Sequence, residues 1–387
     1  MTADLRQPPI PYYWRLSSFY LFYFALLGTL VPYWSLYLQD RGFAAAQIGL
    51  LMAIPQITKL GAPNLWGWLA DRTGQRLRII RAGNLLAAII FTAVFVADGF
   101  WSMVIVLAGF SFFWNAVLAQ FEVITLDTLG ERSHRYSQIR LWGSVGFIVA
   151  VLVVGVLLDW LSVAILPWLL SGGLWLIWLC TLFLPAGSAP LQRAREGKLL
   201  AVLRQPGVLA FFVCAFLMQL SHGPYYTFYT IHLVDMGISR TVAGSLWALG
   251  VIAEVGLFLI MHWLLVRVPL KVIVTASLLL AAMRWLLIAS VGDNLLWLAL
   301  GQLLHAATFG SFHAAAIHFV QRSFGDRQQG QGQALYAALA GVGGALGALY
   351  SGYSWHSLGA AWTFAIASLI ALAAAVITAC YMRDERP

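Results

Sequence analysis

The stretch Gly67-Trp68-Leu69-Ala70-Asp71-Arg72-Thr73-Gly74-Gln75-Arg76 sets two glycines, an acid and two arginines between long apolar runs. Gly67 lets the preceding helix approach a neighbour closely, and Gly74 supports a tight turn. Asp71 is placed to face a helix N-terminus or an arginine across an interface. Arg72 and Arg76 suit the phosphate level of a bilayer. The segment reads as a short polar loop between two membrane-crossing helices. Gly67, Asp71, Arg72, Gly74 and Arg76 are candidate latch residues, making contacts in one conformation that break in another.

Outward from this loop, 61% of the 387 residues are hydrophobic and 10% are charged. Soluble domains carry far less apolar sequence. Charged and Gly/Pro-rich breaks delimit twelve apolar runs, near 16–38, 46–70, 77–97, 101–126, 139–158, 163–184, 208–233, 242–265, 272–291, 295–319, 334–353 and 360–382. Each is roughly long enough to cross a ~30 Å hydrocarbon core. The spans and their loops use up the chain, which argues against a soluble catalytic domain. No cleavage site follows the Pro-rich start, so the first span is expected to be retained.

Nearly all Lys and Arg fall in alternate loops, such as Arg72–Arg81, Arg132–Arg135 and Arg193–Arg204. The opposite loops hold only Arg41 and Arg240. This asymmetry predicts cytoplasmic termini and an even number of spans; the expected location is a bacterial inner membrane. It also assigns the net charge of +8 to membrane topology, not to nucleic acid. Cys180, Cys214 and Cys380 lie inside apolar runs and read as packing residues, with no metal spacing. No cofactor or ATP-binding motif appears.

The basic stretch Pro185–Gly207 divides the spans six and six. The expected organisation is an N-terminal six-helix bundle over 1–185, a cytoplasmic linker over 186–206 and a C-terminal six-helix bundle over 207–387. The loop pattern G-x-x-x-D-R-x-G-x-R resembles the signature of the major facilitator superfamily. That resemblance implies an all-α membrane protein with twelve transmembrane helices in two bundles.

Ionisable residues inside the spans are functional candidates, because an unpaired charge there costs at least a few kcal/mol. Glu122 on span 4 and Arg140 at the start of span 5 fall where a short loop brings them to similar depth. They read as substrate ligands or as a structural ion pair. Arg140-Leu141-Trp142-Gly143-Ser144-Val145-Gly146-Phe147 resembles the lactose permease group of proton symporters, and within it the 3-phenylpropionic acid transporter branch. In the permease an acid on span 4 and an arginine eighteen residues later bind the sugar, which is the spacing of Glu122 and Arg140. The same alignment sets Phe147 where the permease stacks a Trp on the sugar. Lys59 on span 2 falls near the midplane, with no counterpart that can be aligned in the permease, whose substrate is neutral. It is expected to pair with Glu122 or hold the carboxylate of an anionic substrate.

In the second half, span 7 carries His222, Tyr225, Tyr226 and Tyr229, with Pro224 predicted to kink it. His222, Tyr225 and Tyr226 are cavity candidates, and Tyr229 reads as an interfacial belt residue. Arg284 and His305 match the Arg and His of the permease's proton-coupling cluster. Thr308 stands where the permease has a carboxylate, so Glu254 on span 8 becomes the candidate proton carrier, supported by Arg284, His305 and His313. Glycines 341, 343, 344, 347 and 352 on span 11 read as close-packing positions.

The expected function is proton-coupled symport of a small organic solute, an aromatic or other carboxylate, by a monomer in a lipid bilayer. A sugar or nucleoside symporter and an efflux transporter of hydrophobic compounds are the alternatives. An enzyme would need a nucleophile or metal constellation that the sequence does not show, and a sensor would bind without coupled flux.

Overall fold

A computed structural model describes residues 10–185 and 202–382, excluding the side chains of residues 326 and 327. Among the described residues every regular element is helical. Residues 186–201, most of the expected linker, lie outside them. The first six long helices are α1 (Tyr13–Asp40), α2 (Ala45–Thr73), α3 (Arg76–Thr92), α4 (Phe100–Leu129), α5 (Tyr136–Trp160) and α6 (Leu166–Leu182). The next are α7 (Pro206–Ser221), α8 (Gly223–Asp235), α9 (Arg240–Arg267) and α10 (Leu270–Ser290). Then come α11 (Leu295–His305), α12 (Ser311–Leu358) and α13 (Ala360–Tyr381).

Ten helical runs among the described residues are long and apolar enough to cross a membrane. One of them, Phe100–Trp160, holds both α4 and α5, with a 3-10 turn at Gly130–Arg135 between them. Helix α2 is not among the ten, and Gln47, Gln56 and Lys59 dilute its apolar sequence. The run Pro206–Asp235 comprises α7 and α8, which break at His222. Pro224 lacks the N–H that would continue the ladder, as expected. Helix α12 folds back at Gly325, whose φ of 57° favours glycine.

Helices α1 to α6 pack among themselves, and α7 to α13 do likewise. Two glycine seams join the groups. A Cβ on Gly49 of α2 would lie 2.6 Å from the Ala348 carbonyl oxygen, and one on Gly352 would lie 2.6 Å from that of Ala45. On the other seam, a Cβ on Gly155 of α5 would lie 2.7 Å from the Arg240 carbonyl oxygen. One on Gly244 of α9 would collide with the Val151 carbonyl. Tyr33 of α1 lines this seam, its hydroxyl lying against Gly155 and Gly244 and donating to the Val151 carbonyl of α5 at 2.6 Å. Asp159, in the last turn of α5, caps α9 across the seam. Its two oxygens accept from the amides of Arg240 (2.8 Å) and Thr241 (3.0 Å). Arg240 returns a hydrogen bond from Nη1 to the Leu158 carbonyl at 3.2 Å.

Both seams gather these contacts at the end of the helices away from the arginine-rich loops. The expected glycine packing on the second limb of α12 holds, on two faces. Gly341 and Gly344 face Leu60 and Gln56 of α2, whereas Gly343 and Gly347 face Phe216 and Leu220 of α7. Cys214 is buried, but Cys380 is exposed on the outer helix α13, which corrects its reading as an interior packing residue.

Gly244→Leu has no room for its side chain, so this seam is expected to part. A cysteine at Leu158, buried in the native packing, should then react with an impermeant maleimide about tenfold faster than in the native background. An unchanged rate would show that glycine packing does not hold this side closed.

Candidate substrate and proton site

The first-half site is built on an aromatic floor. Phe19 stacks on Phe121 with centroids 3.8 Å apart, and Tyr23 stacks on Trp114 at 4.8 Å. Above it, half-buried Glu122 accepts a hydrogen bond from Tyr136 Oη at 3.4 Å, and Tyr136 Oη also meets Tyr20 Oη at 3.2 Å. Arg140 lies over the Phe24 ring, 3.9 Å from its centroid. Gly143 makes this possible: a Cβ there would lie 2.6 Å from Arg140 Nη1. A cation over an aromatic face gains about 2 kcal/mol when desolvated.

The expected Glu122–Arg140 ion pair is not formed among the described residues, because Tyr136 satisfies the acid and Phe24 holds the cation. Arg140 remains close enough for its charge to act on Glu122 and, across the seam, on Glu254. Phe147, two turns further along α5, is half-buried, and its backbone packs on Gly28 of α1.

Lys59 has an exposed side chain and no hydrogen bond or ion pair among the described residues. The expected pairing with Glu122 is therefore absent. Its polar neighbours are engaged elsewhere. Asn115 donates to the Pro55 carbonyl (2.8 Å) and to Thr58 (3.0 Å), and Thr58 donates to Ser111 (2.9 Å). Gln56 and Leu60, on either side of Lys59, touch α12, so Lys59 faces the space between the two groups of helices. Its charge acts on His313 from the other group.

In the second half, His222 sits at the break between α7 and α8, fully buried. Its Nδ1 donates to the Met218 carbonyl at 2.8 Å, and its Nε2 has no partner among the described residues. Gly223 allows the break to press against Gly347. Tyr225 is buried and Tyr226 half-buried, with Tyr226 near His222 (5.8 Å) and Phe309 (6.5 Å). Tyr229 is fully buried, near Gln302, which corrects its reading as a belt residue. The break turns it inward against Tyr225 and Trp247.

Arg284 of α10 is fully buried and surrounded by acceptors. Nε donates to the Gly301 carbonyl at 2.8 Å, and Nη1 to His305 Nδ1 at 3.0 Å. The guanidinium lies over the rings of Tyr225 (4.2 Å) and Trp285 (4.7 Å). An arginine can only donate, so His305 Nδ1 must be bare. A neutral His305 then carries its hydrogen on Nε2, which faces Glu254 Oε2 at 4.0 Å. The π-helical turn Ala306–Gly310 follows. A Cβ on its Gly310 would lie 3.0 Å from Glu254 Cγ. The same turn aligns His305, Phe309 and His313 in a parallel ladder, with centroid spacings of 5.4 and 6.3 Å. His313 Nδ1 meets Tyr336 Oη at 3.1 Å.

The structure thus brings Arg284, His305 and Glu254 together and sets His313 apart, bonded to Tyr336. Candidate latch residue Asp71 faces its own loop: it accepts from Arg76 at 2.5 Å, and Arg76 also bonds Gln120. Arg72 lies over Trp68, and Gly74 ends α2 with a φ of 65°. Gly67 packs on Gln120. No contact of Asp71 across the two groups is present among the described residues. Sequence reasoning missed Tyr136, Phe24, Tyr336 and Gln302. Only Gln302, a polar residue mid-span, gave a signal that periodicity could have used.

The model of the MFS_1 like family matches residues 13–366. The chain is 29% identical over 368 residues to the probable 3-phenylpropionic acid transporter of Escherichia coli, covering 91% of this chain and 94% of that protein. It is 28% identical over 352 residues to the maltose permease of Geobacillus stearothermophilus, covering 87% and 86%. Among solved structures, the nucleoside transporter NupG superposes with a TM-score of 0.83 at 20% identity, over 97% of this chain and 100% of that one. A helical membrane chain with buried charged side chains, matched by this family along nearly its whole length, belongs to the MFS_1-like family: multi-pass membrane transporters of small molecules with the major facilitator fold.

Proposed function

We propose that this protein is a proton-coupled symporter of a small aromatic carboxylate, working by alternating access in a bacterial inner membrane with both termini cytoplasmic. The observation that carries the substrate class is Lys59, a cation on α2 with no counter-ion among the described residues. Keeping it charged there is costly until an anion arrives. The name of the Escherichia coli relative supports the same class. The substrate carboxylate binds Lys59 and Arg140, and its ring lies against Phe147, Tyr226 and neighbouring aromatics. Glu122, His222 and Tyr225 shape the remainder of the pocket.

Coupling follows from the charges around Arg140. Ionised Glu254 competes with the substrate for the attraction of Arg140. A protonated Glu254 makes no such claim, so proton binding frees Arg140 for the carboxylate. The two groups of helices then rock against each other and part the Gly155–Gly244 seam, with Gly67, Asp71, Arg72, Gly74 and Arg76 holding the alternative state. A second reading, a neutral sugar or nucleoside as substrate, is favoured by Glu122, whose carboxylate can accept hydroxyls.

Proteoliposomes test the assignment. An inward proton gradient should accumulate labelled 3-phenylpropionate but not its amide. Arg140→Ala and Glu122→Gln should each weaken counterflow by about tenfold or more, the scale of a lost charged hydrogen bond. Wild-type affinity in either folded variant would reduce that residue to architecture. Accumulation of a nucleoside instead would support the second reading.

A further inference from the structure

Gln302 lies on α11, fully buried, three residues before His305. Its Oε1 accepts two hydrogen bonds, from Tyr225 Oη of α8 at 2.8 Å and from Arg284 Nη2 of α10 at 3.4 Å. Its Nε2 makes no close hydrogen bond among the described residues, although the Tyr229 side chain lies near it. Leaving a buried donor short of a partner is costly. Turning the amide over would set its NH2 against a guanidinium that can only donate. The acceptor is therefore held inward by its neighbours, at the expense of its own nitrogen.

Three acceptors from one stretch of α11 orient the guanidinium: the Gly301 carbonyl on Nε, Gln302 on Nη2 and His305 on Nη1. Gln302 also ties down Tyr225, whose ring lies under the same guanidinium. On the other side, a Cβ on Gly250 of α9 would lie 3.3 Å from Gln302 Oε1 and 3.5 Å from His305 Cδ2. Gly250 stands one turn before Glu254, so α9 and α11 meet at this amide. The titratable and charged groups around Glu254 are Arg140 from α5, Tyr225 and Tyr226 from α8, and His305 from α11. Of these, Gln302 acts on Tyr225 directly and on His305 through Arg284.

We propose that Gln302 is a positioning residue for proton coupling. It holds Arg284 against His305 Nδ1, which confines His305 to the tautomer with its hydrogen on Nε2, toward Glu254. This rests on the reading of Glu254 as the proton carrier. Without the amide, Arg284 loses one of its three anchors and Nδ1 is free to take the hydrogen.

The test uses the full chain in lipid nanodiscs with 15N-labelled histidine, the His305 signals being assigned by their loss in His305→Gln. The native protein should show a single tautomer protonated on Nε2. Gln302→Leu should give a mixture of tautomers, and its uphill accumulation in proteoliposomes should fall about tenfold more than its counterflow. Gln302→Glu, which presents acceptors to the same two donors, should keep the native tautomer. Gln302→Met, close in shape, carries the same expectation if the leucine variant does not fold. A native tautomer or undiminished accumulation in the folded leucine or methionine variant overturns the proposal. Accumulation by Glu254→Gln would instead overturn the carrier reading, and would leave the tautomer measurement to stand alone.

Discussion

Glu254→Gln is expected to abolish uphill accumulation and substrate-driven alkalinisation of the external medium, while substrate exchange stays within about twofold of native. A glutamine imitates the protonated acid in shape and charge, so the variant is fixed in the loaded form. Exchange needs no deprotonation, whereas net flux does. The geometry separates Glu254 from the histidines. His305 cannot take a second proton without losing its bond from Arg284, because Nδ1 is already committed. His313 stands two helical turns away with Tyr336 as its partner. Proton uptake driven by substrate in purified Glu254→Gln would sink the assignment and move the carrier to His305 or His313.

Lys59→Gln is expected to weaken binding of a carboxylate substrate by roughly tenfold to a hundredfold, the range of a charge-assisted hydrogen bond. The amide analogue, which offers no anion, should bind the native protein and the variant alike. Titration calorimetry on both ligands reads the difference directly. Equal losses for acid and amide would show that Lys59 packs helices and does not recognise charge.

Much of this architecture was legible because water and lipid sort side chains so strongly. The arginine loops, the break at Pro224 and the glycine faces of α12 follow from rules that need no neighbours. Helix α2 was legible as an apolar run near 46–70, but it continues to Thr73, so most of the expected Gly67–Arg76 loop is helix and only the turn at Gly74 and Gln75 breaks it. The site was less legible, since it depends on which partner wins. Glu122 and Arg140 have the spacing of a pair, yet Phe24 and Tyr136 compete for them, and no spacing rule weighs an aromatic face against a carboxylate. Tyr229 looked interfacial by residue type, and only the turn at His222 directs it inward. Gln302 carries no charge, so a search for buried ions passes over it. Its importance comes from two donors that arrive from other helices.

The carboxylate of Asp159 gives the cycle a local reporter. While the seam is closed, the amide hydrogens of Arg240 and Thr241 are held by an acid from another helix. When the seam parts, both are handed to water. Deuterium uptake at these two positions therefore reports the fraction of time that entrance stands open, provided reclosing outpaces chemical exchange. Substrate that favours the closed entrance should slow uptake there, and one that favours the open entrance should speed it. The sidedness of binding becomes readable at two backbone atoms, in the native sequence and without a label.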